Sequence, residues 1–506
     1  MCGIIGYVGK NDANDKVLEG IKSLEYRGYD SFGIANYTNQ INLIKDIGKI
    51  GTIKNVDLPA ANIAIAHTRW ATHGGVTQIN AHPHLSQDKK IAVVHNGIIE
   101  NFQELRQLLK EKNIEIKSET DTEVIPLLVE FYMSEGCDIA EAFRKTLQYV
   151  TGSFAIVMMT KDNKLYFARR GSPLVIGIGE NELFLASDVP AFLKHTNKVI
   201  YLDDDEYGFI NDTYQIFSLN KGEKIEKEIK EIDWSIDQAQ KGDYPHFMLK
   251  EINEQKQTIK LAIERDVEII KKFANDLKNA KNIFLLGCGT SYNACFTASY
   301  LFSEIANINT NVALASEFNR FRNMLDEDTV VVAVSQSGET ADLLDAVNLA
   351  NINKAKVISI VNVMGSTLTR VSDYSLMMNS GPEICVLSTK SYTSQLALFT
   401  LLAYAMINKL DKGKDQINEA IQAIPMFIDK NLTNLKFLSE KLKDSKDMFM
   451  IGRGVMYPTA LEASLKVKEV SYIHAEGFAG GELKHGTIAL IEQDVPVIVF
   501  VNNKKG

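Results

Sequence analysis

The second residue of the chain is a cysteine, and this position could supply two reactive groups at once. Removal of Met1 would leave Cys2 with its thiol and a free α-amine. The amine would have a pKa of roughly 8 and could act as the local base when the thiol attacks a carbonyl carbon. The pattern indicates an amino-terminal thiol nucleophile, with a cysteine placed by chance in a first strand as the alternative.

The motifs HTRWATHG and HNGIIEN each follow an apolar run and carry groups suited to chemistry on an amide. The side-chain N–H of Asn96 and the backbone N–H of Gly97 could form an oxyanion hole. Arg69 suits the carboxylate of a glutamine substrate, and Asp121 suits its ammonium group. Each also has a simpler interpretation, namely a hairpin turn at Asn96-Gly97, a helix cap at Asp121 and a surface charge at Arg69.

Two later loops, GCGTSYNA and SQSGETAD, follow predicted strands and are rich in hydroxyl groups. Such hydroxyls, together with backbone N–H groups at a helix N-terminus, form a good phosphate site. Neither loop contains the Gly-Lys-Ser/Thr of a P-loop, and GCG alone is a weak signal for dinucleotide binding. Simple helix capping by Ser and Thr is the alternative for each loop.

A third cluster lies on one predicted helical face, where Glu462, Lys466 and Glu469 recur at i, i+4 and i+7. The segment continues into GELKHG, which contains His485. Carboxylate and imidazole groups suit proton transfer and ring opening of a sugar phosphate. An exposed helix face held by salt bridges is the alternative.

The elements that must position these groups change character along the chain. Up to about residue 220, short apolar or alternating runs predict many strands, and helical periodicity appears in three places, which favours a layered α+β domain. Residues 221–250 are charge-rich and predict a linker, and residues 247–280 then show one long helical pattern. Beyond it, the uninterrupted apolar runs NIFLLG, NVALAS, TVVVAVS and KVISIVNV predict a parallel α/β sheet covered on both faces.

An internal repeat divides this second half. NIFLLGCGTSYNACFTASY resembles MFMIGRGVMYPTALEASL, and both predict a buried strand, a G-x-G-x-x-Y turn and a helix. We therefore expect two copies of one α/β unit, at 251–430 and 431–506. The second copy offers only MFMIG and VPVIVFV as strands, and two parallel strands cannot bury themselves, so we expect it to be cut short.

Composition limits the classes of function. The 506 residues allow two or three domains, and 45% hydrophobic with 24% charged residues is typical of a soluble protein. We expect neither a signal peptide nor a membrane span, and the net charge of −9 argues against nucleic acid as a partner. Five cysteines without a CxxC pattern favour free thiols in the cytoplasm, and the nine histidines show no metal-ligand spacing.

Six motifs in order over roughly the first 220 residues resemble the class II glutamine amidotransferases, which are N-terminal-nucleophile hydrolases. These motifs are MCGIIGYVG, LEYRGYDSFG, HTRWATHG, NAHPHLS, VVHNGIIEN and SETDTEVI. The resemblance implies a four-layer αββα domain over 2–220, with Cys2 as nucleophile and Asn96 and Gly97 as oxyanion hole. It implies that glutamine is bound by Arg27, Arg69, Trp70, Thr72, His73 and Asp121, with Trp70 at an ammonia gate.

SQSGET, GCGTSYNA and LKVKEVSYIHAEGFAGGELKHG together resemble a pair of sugar isomerase (SIS) domains, which implies doubly wound parallel sheets. The resemblance implies that Glu469 moves a proton between C1 and C2 of the sugar, assisted by Lys466 and Glu462. His485 would open the sugar ring, in the site of a neighbouring subunit. The implied sugar-phosphate-binding residues are Thr290, Ser291, Ser335, Gln336, Ser337, Thr340, Val386, Ser388 and Glu462.

The union of the two domain types implies a homodimeric enzyme without metal or cofactor that converts glutamine and fructose 6-phosphate into glutamate and glucosamine 6-phosphate. Such enzymes hold the sugar as a Schiff base on a lysine close to their C-terminus, and Lys504 and Lys505 do not match that context. A chain with only glutaminase activity or sugar-phosphate binding is the alternative. Other class II amidotransferases would need an SGGxDS loop or a diphosphosugar loop, and neither motif is present.

Overall fold

The computed structural model describes residues 2–71, 73–232 and 241–502. The chain folds as two compact units, Met1–Gln240 and Lys241–Gly506. Within the described residues, none of the helices combines the length and the apolar character needed to cross a membrane.

The first unit is built mainly of strands, which follow from its short apolar runs. In chain order they are β1 (Gly3–Gly9), β2 (Ser31–Tyr37), β3 (Ile41–Ile47), β4 (Ile63–Arg69), β5 (His84–Leu85), β6 (Ile91–Ile99), β7 (Gly152–Thr160), β8 (Leu165–Arg170), β9 (Val175–Ile178), β10 (Glu182–Ala186), β11 (Lys198–Tyr201), β12 (Glu206–Ile210), β13 (Tyr214–Ser218), β14 (Lys224–Ile225) and β15 (Lys230–Glu231).

These strands form two antiparallel sheets. One has the order β15-β11-β9-β10-β1-β4-β2-β3 and the other β14-β13-β12-β8-β7-β6-β5. A continuous apolar core lies between them and takes side chains from both, including Ile4, Ile65, Val94, Val157 and Leu185. The outer faces of both sheets are also buried, and burial on both faces explains why the central strands are apolar along most of their length.

The helices of this unit cover the outer faces of the two sheets. Helix α1 (Ala13–Ser23) packs its apolar face on the first sheet. Helices α2 (Phe102–Glu111), α3 (Val124–Ser134) and α4 (Ile139–Tyr149) pack on the second. The layers therefore run α, β, β, α, which confirms the expected architecture, whereas α4 was not among the helices expected from sequence.

The segment predicted as a linker, 221–250, contains regular structure. Strand β14 pairs with β13 in the second sheet, and β15 pairs with β11 in the first. Each of these short strands pairs with an open edge of a sheet. Such pairing depends on the rest of the fold, so the residue pattern of the charged segment does not predict it.

The second unit begins with two helices, α5 (Phe247–Ile263) and α6 (Val267–Asn279), where the sequence predicts one. The side chain of Asp266 accepts a hydrogen bond from the N–H of Glu268 and caps the second helix. The remaining helices are α7 (Thr290–Leu301), α8 (Ala341–Ile352), α9 (Thr367–Val371), α10 (Lys390–Met406), α11 (Leu410–Leu442) and α12 (Met456–Ser471).

The larger sheet of this unit is parallel and has the order β17-β16-β18-β19-β20. Its strands are β16 (Asn282–Gly287), β17 (Asn311–Leu314), β18 (Thr329–Ser335), β19 (Lys356–Val361) and β20 (Tyr374–Met377). The four strands predicted from apolar runs are confirmed as parallel neighbours. The short edge strand β20 was missed because its half-buried sequence alternates only weakly.

A second parallel sheet has the order β22-β21-β23 among the described residues, formed by β21 (Asp447–Gly452), β22 (His474–Ala479) and β23 (Val497–Phe500). Strand β22 was not expected, since its sequence HAEGFA lacks an apolar run. The repeat is visible in the backbone. A Cβ at Gly287 would lie 2.6 Å from the carbonyl carbon of Ser291, and one at Gly452 would lie 1.8 Å from the carbonyl oxygen of Met456. Both turns therefore require glycine where the helix crosses the end of its strand.

Candidate active sites in the two units

Strand pairing places Cys2 beside the end of β4. Strands β1 and β4 are antiparallel neighbours with Gly3 opposite Thr68, so the residue before Gly3 lies next to Arg69 and Trp70. The Sγ of Cys2 accepts a hydrogen bond from the backbone N–H of Trp70 at 3.2 Å. Burial raises the pKa of the Cys2 thiol, and the Trp70 N–H offsets part of this effect. The thiol is therefore predominantly protonated at neutral pH and needs a base before it can attack.

The second sheet brings the predicted oxyanion donors to the same place. Asn96 lies in β6, and its Nδ2 donates to the backbone oxygen of Cys2 at 2.9 Å. Gly97 follows with φ +122°, and a Cβ there would lie 2.1 Å from the backbone oxygen of Ser153 on β7. The geometry requires glycine at 97, and both donors predicted from sequence lie on the strand that reaches the nucleophile.

The guanidinium group of Arg69 is buried and organises the segment that follows β4. It donates to the backbone oxygens of Gly74 at 3.2 Å and Gly75 at 3.1 Å, and also to that of His73. Burial lowers the pKa of Arg69, and the neighbouring acidic groups, Cys2 first, act in the opposite direction. Arg69 thus holds the loop at 73–75, and a role in binding the substrate carboxylate stays a prediction.

Asp121 is buried on the opposite wall. Its Oδ2 accepts a hydrogen bond from the N–H of Ile99 at 2.8 Å, and its Oδ1 accepts one from the hydroxyl of Thr122 at 3.4 Å. The carboxylate is fixed by these two donors, which leaves a localised negative charge at the pocket.

One pocket gathers most of the residues predicted for the first unit. Its lining residues are Cys2, Arg69, Trp70, His73, His82, His95, Gly97, Thr120, Asp121 and Thr122. A thiol, a cation, an anion and a donor-bearing glycine therefore surround one small cavity. This arrangement matches the charges of a free amino acid whose side chain ends in an amide.

Two further residues expected to bind glutamine, Arg27 and Trp70, contact Cys2 or its neighbours. Arg27 donates through Nε to the backbone oxygen of Cys2 at 3.2 Å and forms an ion pair with Asp188 at 2.9 Å, so it supports the nucleophile's backbone. Trp70 is 40% exposed and packs edge-to-face on Tyr29. Thr72 lies outside the described residues.

The sequence interpretation missed several pocket-wall residues. His82 and His95 are buried, and burial lowers the pKa of both imidazoles. The Nδ1 of His95 lies 2.9 Å from the hydroxyl of Thr122. His82, His95, Thr120 and Thr122 all lie within motifs that carried the family resemblance, NAHPHLS, VVHNGIIEN and SETDTEVI, yet only the pairing of the sheets shows that they line the pocket.

In the second unit, the strand order determines where the hydroxyl-rich loops lie. Strand β16 comes first in the chain but lies between β17 and β18, so the crossovers change direction between β16 and β18. Ligands of doubly wound sheets bind at the carboxyl ends of the strands at such a point. Both loops predicted to bind phosphate, GCGTSYNA and SQSGETAD, begin there.

Serine side chains of the SQSGETAD loop accept hydrogen bonds from backbone N–H groups of the same loop. The Oγ of Ser335 accepts from the N–H of Gly338 at 2.9 Å and lies 3.5 Å from the hydroxyl of Thr340. The Oγ of Ser337 accepts from the N–H of Glu339 at 3.2 Å. Gln336 sits between these serines in the same loop. In the neighbouring loop, Ser291 accepts a hydrogen bond from Gln395 at 3.1 Å.

The three ionisable residues of α12 do share a face, and that face packs on α7. Glu462 is buried and accepts from Thr290 at 2.9 Å and from Asn293 at 2.8 Å. Lys466 forms ion pairs with Glu462 at 3.3 Å and Glu469 at 2.8 Å, and it donates to Thr290 at 2.8 Å. The exposed salt-bridged face considered as an alternative is therefore wrong for Glu462 and Lys466, because both take part in a network between helices.

The loop that carries Val386 and Ser388 is tied to this network. Lys466 donates to the backbone oxygen of Leu387, Val386 is 57% exposed, and Ser388 has φ +46°. His485 is exposed and is not joined to the network within residues 241–502. Its role in a neighbouring subunit's site stays a prediction.

In the described part of the chain, no group of His, Cys, Asp and Glu side chains has the arrangement of a metal site.

Comparison with known families agrees with this division. A glutamine amidotransferase domain model matches residues 67–194, and a SIS domain model matches residues 276–405 and 441–505. The first match includes Arg69, Asn96, Gly97 and Asp121 but begins after Cys2, and the second includes the hydroxyl-rich loops and Glu462, Lys466 and Glu469.

Named relatives match nearly the whole chain. The glutamine–fructose-6-phosphate aminotransferases [isomerizing] of Thermococcus kodakarensis and Pyrococcus horikoshii are each 46% identical to it, over 99% and 98% of this chain and 86% and 85% of their own lengths. A solved C-terminal domain of glucosamine-fructose-6-phosphate aminotransferase from Francisella tularensis is 36% identical over 53% of this chain and 78% of its own, with a TM-score of 0.47. The chain belongs to the family of glutamine–fructose-6-phosphate aminotransferases [isomerizing].

Proposed function

We propose that the protein converts L-glutamine and D-fructose 6-phosphate into L-glutamate and D-glucosamine 6-phosphate. The observation that carries the proposal is the pocket in which the Cys2 thiol, the Gly97 backbone and the charges of Arg69 and Asp121 converge. Those groups complement the amide, carboxylate and ammonium of glutamine.

The first half of the reaction takes place at Cys2. The thiol loses its proton to the free α-amine and attacks the side-chain carbonyl carbon of glutamine. The resulting oxyanion accepts hydrogen bonds from Asn96 and Gly97. The α-ammonium group returns the proton to the amide nitrogen, which leaves as ammonia. Water then cleaves the thioester to release glutamate and restore the thiol. Arg69 and Asp121 hold the substrate's carboxylate and ammonium, while Arg27 and Asn96 hold the backbone oxygen of Cys2.

The second half takes place at the parallel sheets. The phosphate of the sugar binds at the loops that contain Ser291, Ser335, Gln336, Ser337 and Thr340, since their hydroxyls and N–H groups lie at helix N-termini. Thr290, Val386 and Ser388 complete the sugar site. Ammonia adds to the C2 carbonyl and water leaves, which gives an imine.

The isomerisation then moves two protons. Glu469 removes a proton from C1 and returns it to C2, while the imine nitrogen gains a proton and the C1 hydroxyl loses one, which gives the 2-amino aldose. Lys466 forms an ion pair with Glu469 at 2.8 Å and holds its carboxylate in place, and Glu462 fixes Lys466 from the other side. His485 assists ring opening.

We further propose that the enzyme works as a cytoplasmic homodimer. The exposure of His485 supports a homodimer, because a residue that opens the sugar ring in a neighbouring subunit's site must lie at the surface of its own chain. The described cysteines are all free thiols, which supports a reducing compartment. Light scattering should give twice the chain mass of 56.4 kDa.

The experiment that tests the function follows both products in one mixture of protein, glutamine and fructose 6-phosphate. Wild-type protein should form glutamate and glucosamine 6-phosphate in equal amounts. Cys2→Ala should form neither, whereas Cys137→Ser, a matched change of another half-buried thiol in the same unit, should behave like the wild type. Glutamate without amino sugar would support glutaminase activity alone, and loss of neither product in Cys2→Ala would refute the proposal.

A further inference from the structure

His67 lies two residues before Arg69 on β4 and is fully buried between the two sheets of the first unit. Its Nε2 lies 3.0 Å from Oδ1 of Asn96 and 3.1 Å from the backbone oxygen of His95. Neither the sequence interpretation nor the proposed mechanism uses this residue, yet it contacts an oxyanion donor directly.

The neighbours of His67 determine where its proton lies. Both atoms near Nε2 are oxygen acceptors, so Nε2 must carry the hydrogen and donate it. On the other side of Asn96, Nδ2 lies 2.9 Å from the backbone oxygen of Cys2, which is also an acceptor. Rotation of the amide by half a turn would place its NH₂ against the Nε2–H and its oxygen against the oxygen of Cys2. Only one orientation of the amide therefore satisfies both neighbours.

His67 also stays in one protonation state. Burial lowers its pKa to about 3, so the ring is neutral at any pH at which the enzyme would work. The Nδ1 of His67 has no hydrogen-bond partner among the described residues. A buried ring nitrogen without a proton tolerates the lack of a partner better than a buried N–H group would. The ring of His82 stacks on it at 4.2 Å and fixes its plane. A ring with a pKa of about 3 is too weak a base to take the proton of the Cys2 thiol.

We propose that His67 is a positioning residue of the glutaminase site, and that its Nε2–H fixes the Asn96 side chain so that the amide NH₂ faces the oxyanion formed at Cys2. This inference rests on the proposed glutamine hydrolysis. An oxyanion donor is effective because it is oriented before the charge forms. Without the Nε2–H, the amide of Asn96 can turn its oxygen toward the developing negative charge.

The test uses two amides that imitate different ring nitrogens. In His67→Gln the side-chain N–H₂ reaches the place of Nε2, whereas in His67→Asn it reaches only the place of Nδ1. We expect His67→Asn to lower kcat for glutamine hydrolysis about 100-fold with KM changed less than about threefold. His67→Gln should stay within about tenfold of the wild type. Equal losses in both variants would overturn the inference.

A double-mutant cycle separates positioning from a general structural role. In an Asn96→Ala background there is no amide to orient, so His67→Asn should lower kcat less than about threefold further. A second loss of about 100-fold in that background would show that His67 acts on stability or on another group.

Alkylation of Cys2 by iodoacetamide provides an independent readout, because displacement at an alkyl carbon forms no oxyanion. The alkylation rate in His67→Asn should match the wild type within about threefold, which shows an intact nucleophile and fold. A parallel fall in alkylation and hydrolysis would overturn the inference. If wild-type protein hydrolyses no glutamine, the proposed function itself fails, and that result is distinct from an active wild type whose His67 variants contradict the expected pattern.

Discussion

Cys2 lies in a buried position that favours the neutral thiol over the thiolate. A neutral thiol is a weak nucleophile, so its reactivity depends on a nearby base and on stabilisation of the charge that forms after attack. Strand pairing supplies the second requirement, since β6 carries Asn96 and Gly97 to the end of β1. The reactivity of Cys2 therefore depends on the positions of Asn96 and Gly97 relative to its thiol.

Asp121 offers a test of substrate binding at the residue scale. Asp121→Asn keeps an oxygen that can accept from Ile99 N–H but removes the negative charge. We expect KM for glutamine to rise at least about 10-fold with a smaller change in kcat, because the charge binds the ammonium in ground and transition states alike. Glutamate release at varied glutamine concentration measures both constants. An unchanged KM would contradict this role for Asp121.

Lys466 offers the matching test in the second unit. It connects Glu462, Glu469, Thr290 and the backbone of Leu387. Lys466→Met should lower amino-sugar formation about 100-fold or more, because it removes a half-buried cation from between two carboxylates.

Lys466→Met should still hydrolyse glutamine, because the substitution leaves the site of the first unit intact. Lys468→Met is the control, since Lys468 is exposed on the same helix. Equal effects of the two variants on amino-sugar formation would contradict the assigned role.

Among the contacts between elements, the carboxylate of Glu251 joins helix α5 to the loop that carries Val386 and Ser388. Glu251 accepts hydrogen bonds from the N–H groups of Ile384 and Cys385 at 2.7 and 2.9 Å. Burial, and then the nearby charge of Glu383, raises the pKa of Glu251 to about 7. Its folded pKa thus exceeds the unfolded value, so its contribution to stability is complete at low pH and is lost as pH rises through about 7.

Glu251→Gln should therefore become more stable relative to the wild type as pH rises. The amide keeps the acceptor oxygen for the loop and cannot ionise. We expect the difference in Tm between variant and wild type to grow by on the order of 5 °C between about pH 5 and about pH 8. Thermal melts across this range measure it, with the exposed Glu264→Gln as control. A difference that shrinks with pH would refute the assignment.

Sequence predicted the elements whose signal is local. Apolar runs such as TVVVAVS gave the buried strands, and 3.6-residue periodicity gave α1, α2 and α3. It failed for β22, whose strand conformation comes from pairing with β21, and for the break at 264–266, where a cap at Asp266 interrupts an otherwise continuous pattern. Residue types and spacing predicted Cys2, Asn96 and Gly97 as site residues, and the family motifs agreed, but the positions of His67 and His82 became visible only in the packing of the two sheets.

At the scale of the whole molecule, the first unit contains its own complete set of cores. The cluster between its sheets and the two clusters beneath its helices consist only of residues before 233. Residues 1–240 expressed alone should fold with a cooperative thermal transition and hydrolyse glutamine. Circular dichroism and a glutamate assay check this. A fragment that fails to fold, although the full chain is active, would show that the units depend on each other.

In the proposed reaction, the amide nitrogen released at Cys2 becomes the amino group of the sugar. The direct test supplies glutamine labelled with nitrogen-15 at its amide, fructose 6-phosphate and an excess of unlabelled ammonium, and then measures the mass of the amino sugar. We expect labelled glucosamine 6-phosphate in equal amount to glutamate, and none from Cys2→Ala. An amino sugar without label, or glutamate formed with no amino sugar, would contradict the proposed reaction.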